Sequence, residues 1–186
     1  MNNSGYPFFI ATMLFSILLY GCGELNSKEQ QQVNEAARDS LTSTTETWEV
    51  DMEIIEDGQK KIRLIGSYAA TYNTEELNET RIKGPVHIQV FDSTGAVKTR
   101  VESNRAIYRA EAAQFELFGN VDLRTRTKRH LQSEYLKWDQ SKNIISTPRF
   151  VIITTPSDSI AGSGFTGTSN LSNYSIQEPS GQVTLD

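Results

Sequence analysis

From Thr47 onward the hydrophobic pattern of this chain repeats every two residues, and that period restricts the fold more than any other feature. Between Thr47 and Ile54, the residues Trp48, Val50, Met52 and Ile54 alternate with Glu49, Asp51 and Glu53. Between Pro85 and Val90, Val86, Ile88 and Val90 alternate with His87 and Gln89. The clearest run begins at Gln114. There Phe115, Leu117, Gly119, Val121 and Leu123 share one predicted face, and Glu116, Asn120, Asp122 and Arg124 the other. Successive strand residues point to opposite faces, so this pattern predicts sheets with one apolar and one wet face. Asp57-Gly58 and the stretch Asp92-Ser93-Thr94-Gly95 interrupt the runs as turns. The whole chain has five prolines, and almost no helical periodicity follows Thr47. An all-β fold of many short antiparallel strands is predicted: a sandwich, jellyroll or barrel.

The chain starts differently. Residues 8–20, FFIATMLFSILLY, are almost wholly apolar, no charged residue precedes Glu24, and Gly21-Cys22 follows at once. As a helix this run rises only about 20 Å, short of the roughly 30 Å hydrocarbon core. That length suits a signal-peptide core better than a spanning helix. A small residue before a lone cysteine at this place resembles a bacterial lipobox. The resemblance implies that residues 1–21 are a lipoprotein signal peptide and that Cys22 is the lipid attachment site. Two or three acyl chains would hold stably, at about 0.8 kcal/mol per buried methylene. The opening MNNSGYP carries no Lys or Arg, so an uncleaved N-terminal anchor with an unmodified cysteine is the alternative. Both place the rest of the chain outside the cytoplasm. Residues 22–46, rich in Gln, Glu, Asn, Ser and Thr, read as acylated cysteine and polar linker, and residues 47–186 as the β domain.

Composition removes several function classes. A net charge of −5 speaks against nucleic acid, which calls for a basic face. One cysteine excludes a disulfide scaffold and a cysteine-built zinc site, and two distant histidines supply little metal or acid–base chemistry. His87 is expected on a wet strand face and His130 at a turn. Glu75/Glu76 and Glu111/Glu116 belong to polar turns or strand margins, with nothing to single them out as a catalytic pair. The glycines of Gly162-Ser163-Gly164-Phe165-Thr166-Gly167 lack the lysine and helix of a phosphate loop and predict a bulge or close bend. No catalytic residue, metal or cofactor is expected.

The β region also repeats. Ala69-Ala70-Thr71-Tyr72 precedes Gly84-Pro85-Val86, Ala106-Ile107-Tyr108 precedes Gly119-Asn120-Val121, and Leu136-Lys137-Trp138 precedes Phe150-Val151. The aromatic-to-valine distances are 14, 13 and 13 residues. Each unit reads as a hairpin module that must stack on its neighbours to bury an apolar face. With Ser103-Asn104-Arg105-Ala106-Ile107-Tyr108, the stretch 131–139, Ile144-Ile145-Ser146-Thr147 and Ile160–Phe165, this order resembles the lipopolysaccharide-export LptC family and its OstA-like relatives. The resemblance covers about residues 47–183.

The resemblance implies an open, twisted β-jellyroll of repeated short antiparallel strands with an apolar interior. It implies a periplasmic, lipid-anchored protein, with the inner membrane as the expected site, that receives lipopolysaccharide from an inner-membrane ABC transporter. The ligand would pass to a like-folded periplasmic bridge protein through strand-edge pairing. Shielding about a dozen methylenes would be worth roughly 10 kcal/mol before ordering costs. The alternation supplies candidates for a lipid-binding groove: Val86, Ile88, Val90, Phe115, Leu117, Val121, Leu123, Val151 and Ile153, joined by Tyr108 and Trp138. Arg124, Arg126 and Lys128 alternate along one predicted strand face, with Arg129 and His130 following, as candidates for phosphate headgroup contact, or form a plain charged outer face. A structural or adhesive β-rich lipoprotein that binds only protein is the competing class, favoured by a filled core. A hydrolase is the third, and would need two acidic groups converging in a cleft.

Overall fold

In the computed structural model, which describes residues 45–74 and 77–180, every regular element is a strand. They are β1 (Thr45–Glu56), β2 (Gln59–Asn73), β3 (Asn78–Phe91), β4 (Val97–Arg109), β5 (Gln114–Thr125), β6 (His130–Asp139), β7 (Ile144–Thr154), β8 (Ser159–Thr168) and β9 (Tyr174–Ser180). Each pairs antiparallel with the next, giving one sheet in the order of the sequence. Tight turns explain this order. Asp57 and Gly58 both take positive φ, as a two-residue hairpin turn of this twist requires. Asp92 caps the β3–β4 turn, its Oδ1 accepting from the Thr94 amide, the Thr94 hydroxyl and the Ala96 amide.

A crease crosses the sheet. Register slips by one residue at the same level in six successive strand pairs, from β2/β3 to β7/β8. The slips fall at Ile65/Tyr68, Lys83/Val86, Glu102/Arg105, Phe118/Val121, Ser133/Lys137 and Thr147/Phe150. An extra residue bends a strand and sharpens its twist, so an aligned row of them folds the sheet over itself into two limbs. Local sequence suits the bend. Gly119 and Asn120 both have positive φ, and a Cβ on Gly119 would stand 2.7 Å from Asn104 Nδ2. The late glycines act as the sequence predicted. Gly164 has positive φ within β8, and a Cβ on Gly162 would meet the Glu178 carbonyl of β9 at 2.5 Å.

The repeat seen in the sequence is the hairpin β2–β3, β4–β5, β6–β7, and the crease falls just before the valine of each. One core fills the space between the limbs, including Leu64, Ile82, Ile88, Leu117, Leu123, Leu136, Ile153 and Phe165. Opposite the crease the limbs meet at two turns. Arg129, in the β5–β6 turn, donates from Nη1 to the carbonyl of Leu171 in the β8–β9 turn at 2.6 Å. Thr99 Oγ1 donates to the Ser169 carbonyl at 3.5 Å, and the Leu171 side chain is fully buried. Among the described residues β1 and β9 do not pair with each other and are the outermost strands of the sheet. The apolar run and Cys22 lie outside the described residues.

Candidate functional site

The interior between the limbs is built from alternate residues of every central strand. Val86, Ile88 and Val90 come from β3, Phe115, Leu117, Val121 and Leu123 from β5, Trp138 from β6, and Val151 and Ile153 from β7. All ten are buried. Tyr108 of β4 is half-buried and stacks on Phe115 at 4.4 Å, and Phe115 stacks on Trp138 at 5.6 Å. All eleven groove candidates thus face one interior. They are packed against each other rather than around an open lumen: the space left among Val90, Thr99, Val101, Leu117, Leu123 and Trp138 amounts to about 10 Å³.

Alternation alone did not reveal every inward residue. Leu64, Ala69, Ile82, Ala106, Leu131, Leu136, Ile145 and Phe165 also line the interior. In β4 the inward set runs Thr99, Val101, Ser103 and then Ala106; in β6 it runs Leu131, Ser133 and then Leu136, Trp138. The crease residue shifts their parity, which hides the pattern. Trp48 corrects the reading in the other direction. It was expected beside Val50, Met52 and Ile54, but Glu49 has positive φ and turns it outward. There Trp48 is 66% exposed and meets Tyr68 edge-on at 5.6 Å. Tyr72 also faces outward, under the Arg81 guanidinium at 4.6 Å, unlike the aromatics Tyr108 and Trp138 of the later repeats. Its spacing to the valine is one residue longer.

The basic residues are not one strand face. β5 ends at Thr125, so Arg126 and Lys128 belong to the turn, and Lys128 has positive φ there. Arg124 pairs with Asp122 at 2.7 Å and Arg126 with Asp92 at 2.8 Å, so both charges are already answered within the fold. His130 is the first residue of β6 rather than a turn residue, and its Nε2 lies 2.7 Å from Asp122 Oδ2. Burial pushes the Asp122 carboxyl up, but bonds from Arg124 and His130 outweigh it and hold the group below its usual range. His87 stands on the wet face, 3.5 Å from Glu102.

Asp92 sits well below the usual carboxylate range, first because of the Thr94 hydroxyl, then the Thr94 amide, Arg126 and the Ala96 amide. An unfolded aspartate titrates near about 3.9. Stability from Asp92 is therefore complete above that pH and is lost as pH falls through the lower folded value. Asp92→Asn should lower the urea midpoint at neutral pH, and the gap to wild type should narrow toward about pH 3 and below. A gap independent of pH would show that the charge of Asp92 is not what holds the turn.

On the outer face, a depression of about 1220 Å³ runs along the crease, lined by Arg105, Phe118, Tyr135, Arg149 and Phe150. It is far larger than the interior cavity, yet its walls mix apolar rings with Asp122, Glu134 and two arginines. Among the described residues, a long apolar ligand finds a continuous apolar lining in the interior rather than in this depression. Above the depression Tyr135 donates to Glu116 at 3.1 Å, and burial together with that carboxylate pushes the phenol up to about 12.

Among the described residues, a single sheet creased into two facing limbs, apolar between them and polar outside, whose outermost strands β1 and β9 do not close on each other, is an open β-jellyroll. The model of the family described as "Lipopolysaccharide-assembly, LptC-related" matches residues 8–178, and the chain belongs to that family. Its members take part in lipopolysaccharide transport at the periplasmic side of the inner membrane, as transport proteins rather than enzymes. Comparison with curated proteins gives no match.

Proposed function

We propose that this protein is a lipid-anchored periplasmic carrier that holds the acyl chains of lipopolysaccharide between its two limbs. It takes the ligand from an inner-membrane ABC transporter and passes it to a like-folded bridge protein. The observation that carries this reading is the interior itself. Alternate residues of seven strands, β2 to β8, make one apolar wall that runs across the crease. The sheet order supports the hand-off: among the described residues β1 and β9 are the outermost strands, where a partner's strand can pair. The apolar run and Cys22 support the anchor.

With so little space inside, acyl chains enter only if the limbs separate. The join opposite the crease favours this, because it rests on the Arg129–Leu171 and Thr99–Ser169 bonds rather than on strand pairing. The filled core favours the second reading, a structural lipoprotein that binds only protein.

Photo-crosslinking in cells that make lipopolysaccharide separates the two. Benzoylphenylalanine at Tyr108 replaces one half-buried aromatic by another and should fold; Leu117 is the deeper position and Asn120 the outward control. A carrier gives a lipopolysaccharide adduct from position 108 or 117 and none from 120. A correctly localised protein with no adduct from either inward position would overturn the carrier reading.

A further inference from the structure

Trp138 is 5% exposed, and its indole Nε1 has no protein acceptor within hydrogen-bonding distance. Among the described residues it is the one buried side-chain nitrogen or oxygen in that position. Burying an unmet donor is unfavourable, and phenylalanine would fill much of the same volume without that cost. The ring also lines the small interior cavity, together with Val90, Thr99, Leu117, Leu136 and Ser169. Thr99 and Ser169 form the longer of the two bonds that join the limbs, at 3.5 Å against 2.6 Å for Arg129–Leu171. An unmet donor, a little space and the weakest closure of the interior therefore occur together.

We infer that the Trp138 indole N–H donates a hydrogen bond to the carbonyl oxygen of an ester- or amide-linked acyl chain held between the limbs. This rests on the carrier reading and gives it a ligand chemistry. Methylenes gain from burial wherever they lie in an apolar interior, because that attraction has no direction. The carbonyl at the head of an acyl chain differs: it is an acceptor that must find a donor once it leaves water. Pairing it with Trp138 satisfies both orphan groups at once. It also fixes how deep the chain sits, with the polar head at the Thr99–Ser169 join and the tail among Leu117, Leu136 and their neighbours. The interior thereby prefers acylated molecules to plain alkyl ones.

The test compares a lauroyl glycerol ester with its alkyl ether, which lacks the carbonyl, using the full chain held in amphipol. Wild type should bind the ester about tenfold more tightly, the value of one buried hydrogen bond. Trp138→Phe should bring the ester down to the ether's affinity and leave the ether unchanged. The chain has two tryptophans, so indole N–H resonances give a second readout that needs no variant. The Trp138 signal should move downfield with ester and not with ether, while exposed Trp48 stays in place. Equal ester and ether affinities in wild type, or a ratio that Trp138→Phe leaves intact, would overturn the donor role and leave the carrier reading standing. Failure of both ligands to bind would overturn the two together.

Discussion

Phe115→Ala is expected to cost about 3–5 kcal/mol of folding stability, the range for removing a large aromatic from a filled core. Phe115 is fully buried and lies between Tyr108 and Trp138, with both pairs of rings inclined by only 21°. Its removal forfeits burial and two ring contacts and leaves a hole that the strand backbone cannot close. A domain of this kind has about 5–15 kcal/mol of stability in total, so the variant should unfold at a markedly lower denaturant midpoint. The measurement is equilibrium unfolding in urea, with the slope compared to confirm two-state behaviour. The outcome also bears on function. A loss below about 1 kcal/mol would mean that the limbs already stand apart around Phe115 in solution. The interior would then be a preformed groove, not a core that opens.

Arg109→Ala is expected to have the next largest effect. Glu79 is only 3% exposed on the outer face of β3, covered by two guanidiniums: Arg81 at 2.7 Å and Arg109 at 3.1 Å. Arg109 also holds Glu116 at 2.5 Å and so ties β3, β4 and β5 across their ends. Stripping one partner from a buried ion pair costs about 3–5 kcal/mol. Here Arg81 remains and the truncated site admits water, so about 2 kcal/mol is expected. Glu79→Gln removes the charge left behind, and the double variant Glu79→Gln/Arg109→Ala should be less destabilised than the sum of the two single changes. Strict additivity in urea unfolding would mean that the two side chains do not interact in solution.

Legibility of the fold followed the parity of each strand. The two runs that alternated most plainly, PVHIQV and QFELFGNVDLRTR, belong to β3 and β5. In those strands the crease leaves inward residues on one parity: Ile82, Val86, Ile88 and Val90, then Phe115, Leu117, Val121 and Leu123. In β2, β4, β6 and β8 the parity changes at the crease, as from Leu64 to Ala69 and from Gly162 to Phe165. A reading by period two sees only broken runs there. The groove candidates, which came mostly from odd-numbered strands, face the interior because parity survives the crease there. Trp48 failed for a related reason: the left-handed backbone at Glu49 reverses a face that the residue types do not reveal. Arg124, Arg126 and Lys128 looked equivalent in sequence. Their partners Asp122 and Asp92 become neighbours only through the hairpins.

Residue order by itself determined the all-β class, the hairpin repeat, the wet and apolar faces and the family resemblance. These depend on local alternation, turn chemistry and spacing, which a chain carries without folding. The alignment of six one-residue slips into a single crease was decided only in the tertiary structure, since each slip has meaning only against the neighbouring strand. So was the closing of the limbs by Arg129 and Leu171, residues 42 apart in the chain. The unmet N–H of Trp138 belongs to the same class: whether a donor finds an acceptor is settled by what packs around it, and no neighbour in sequence can show that.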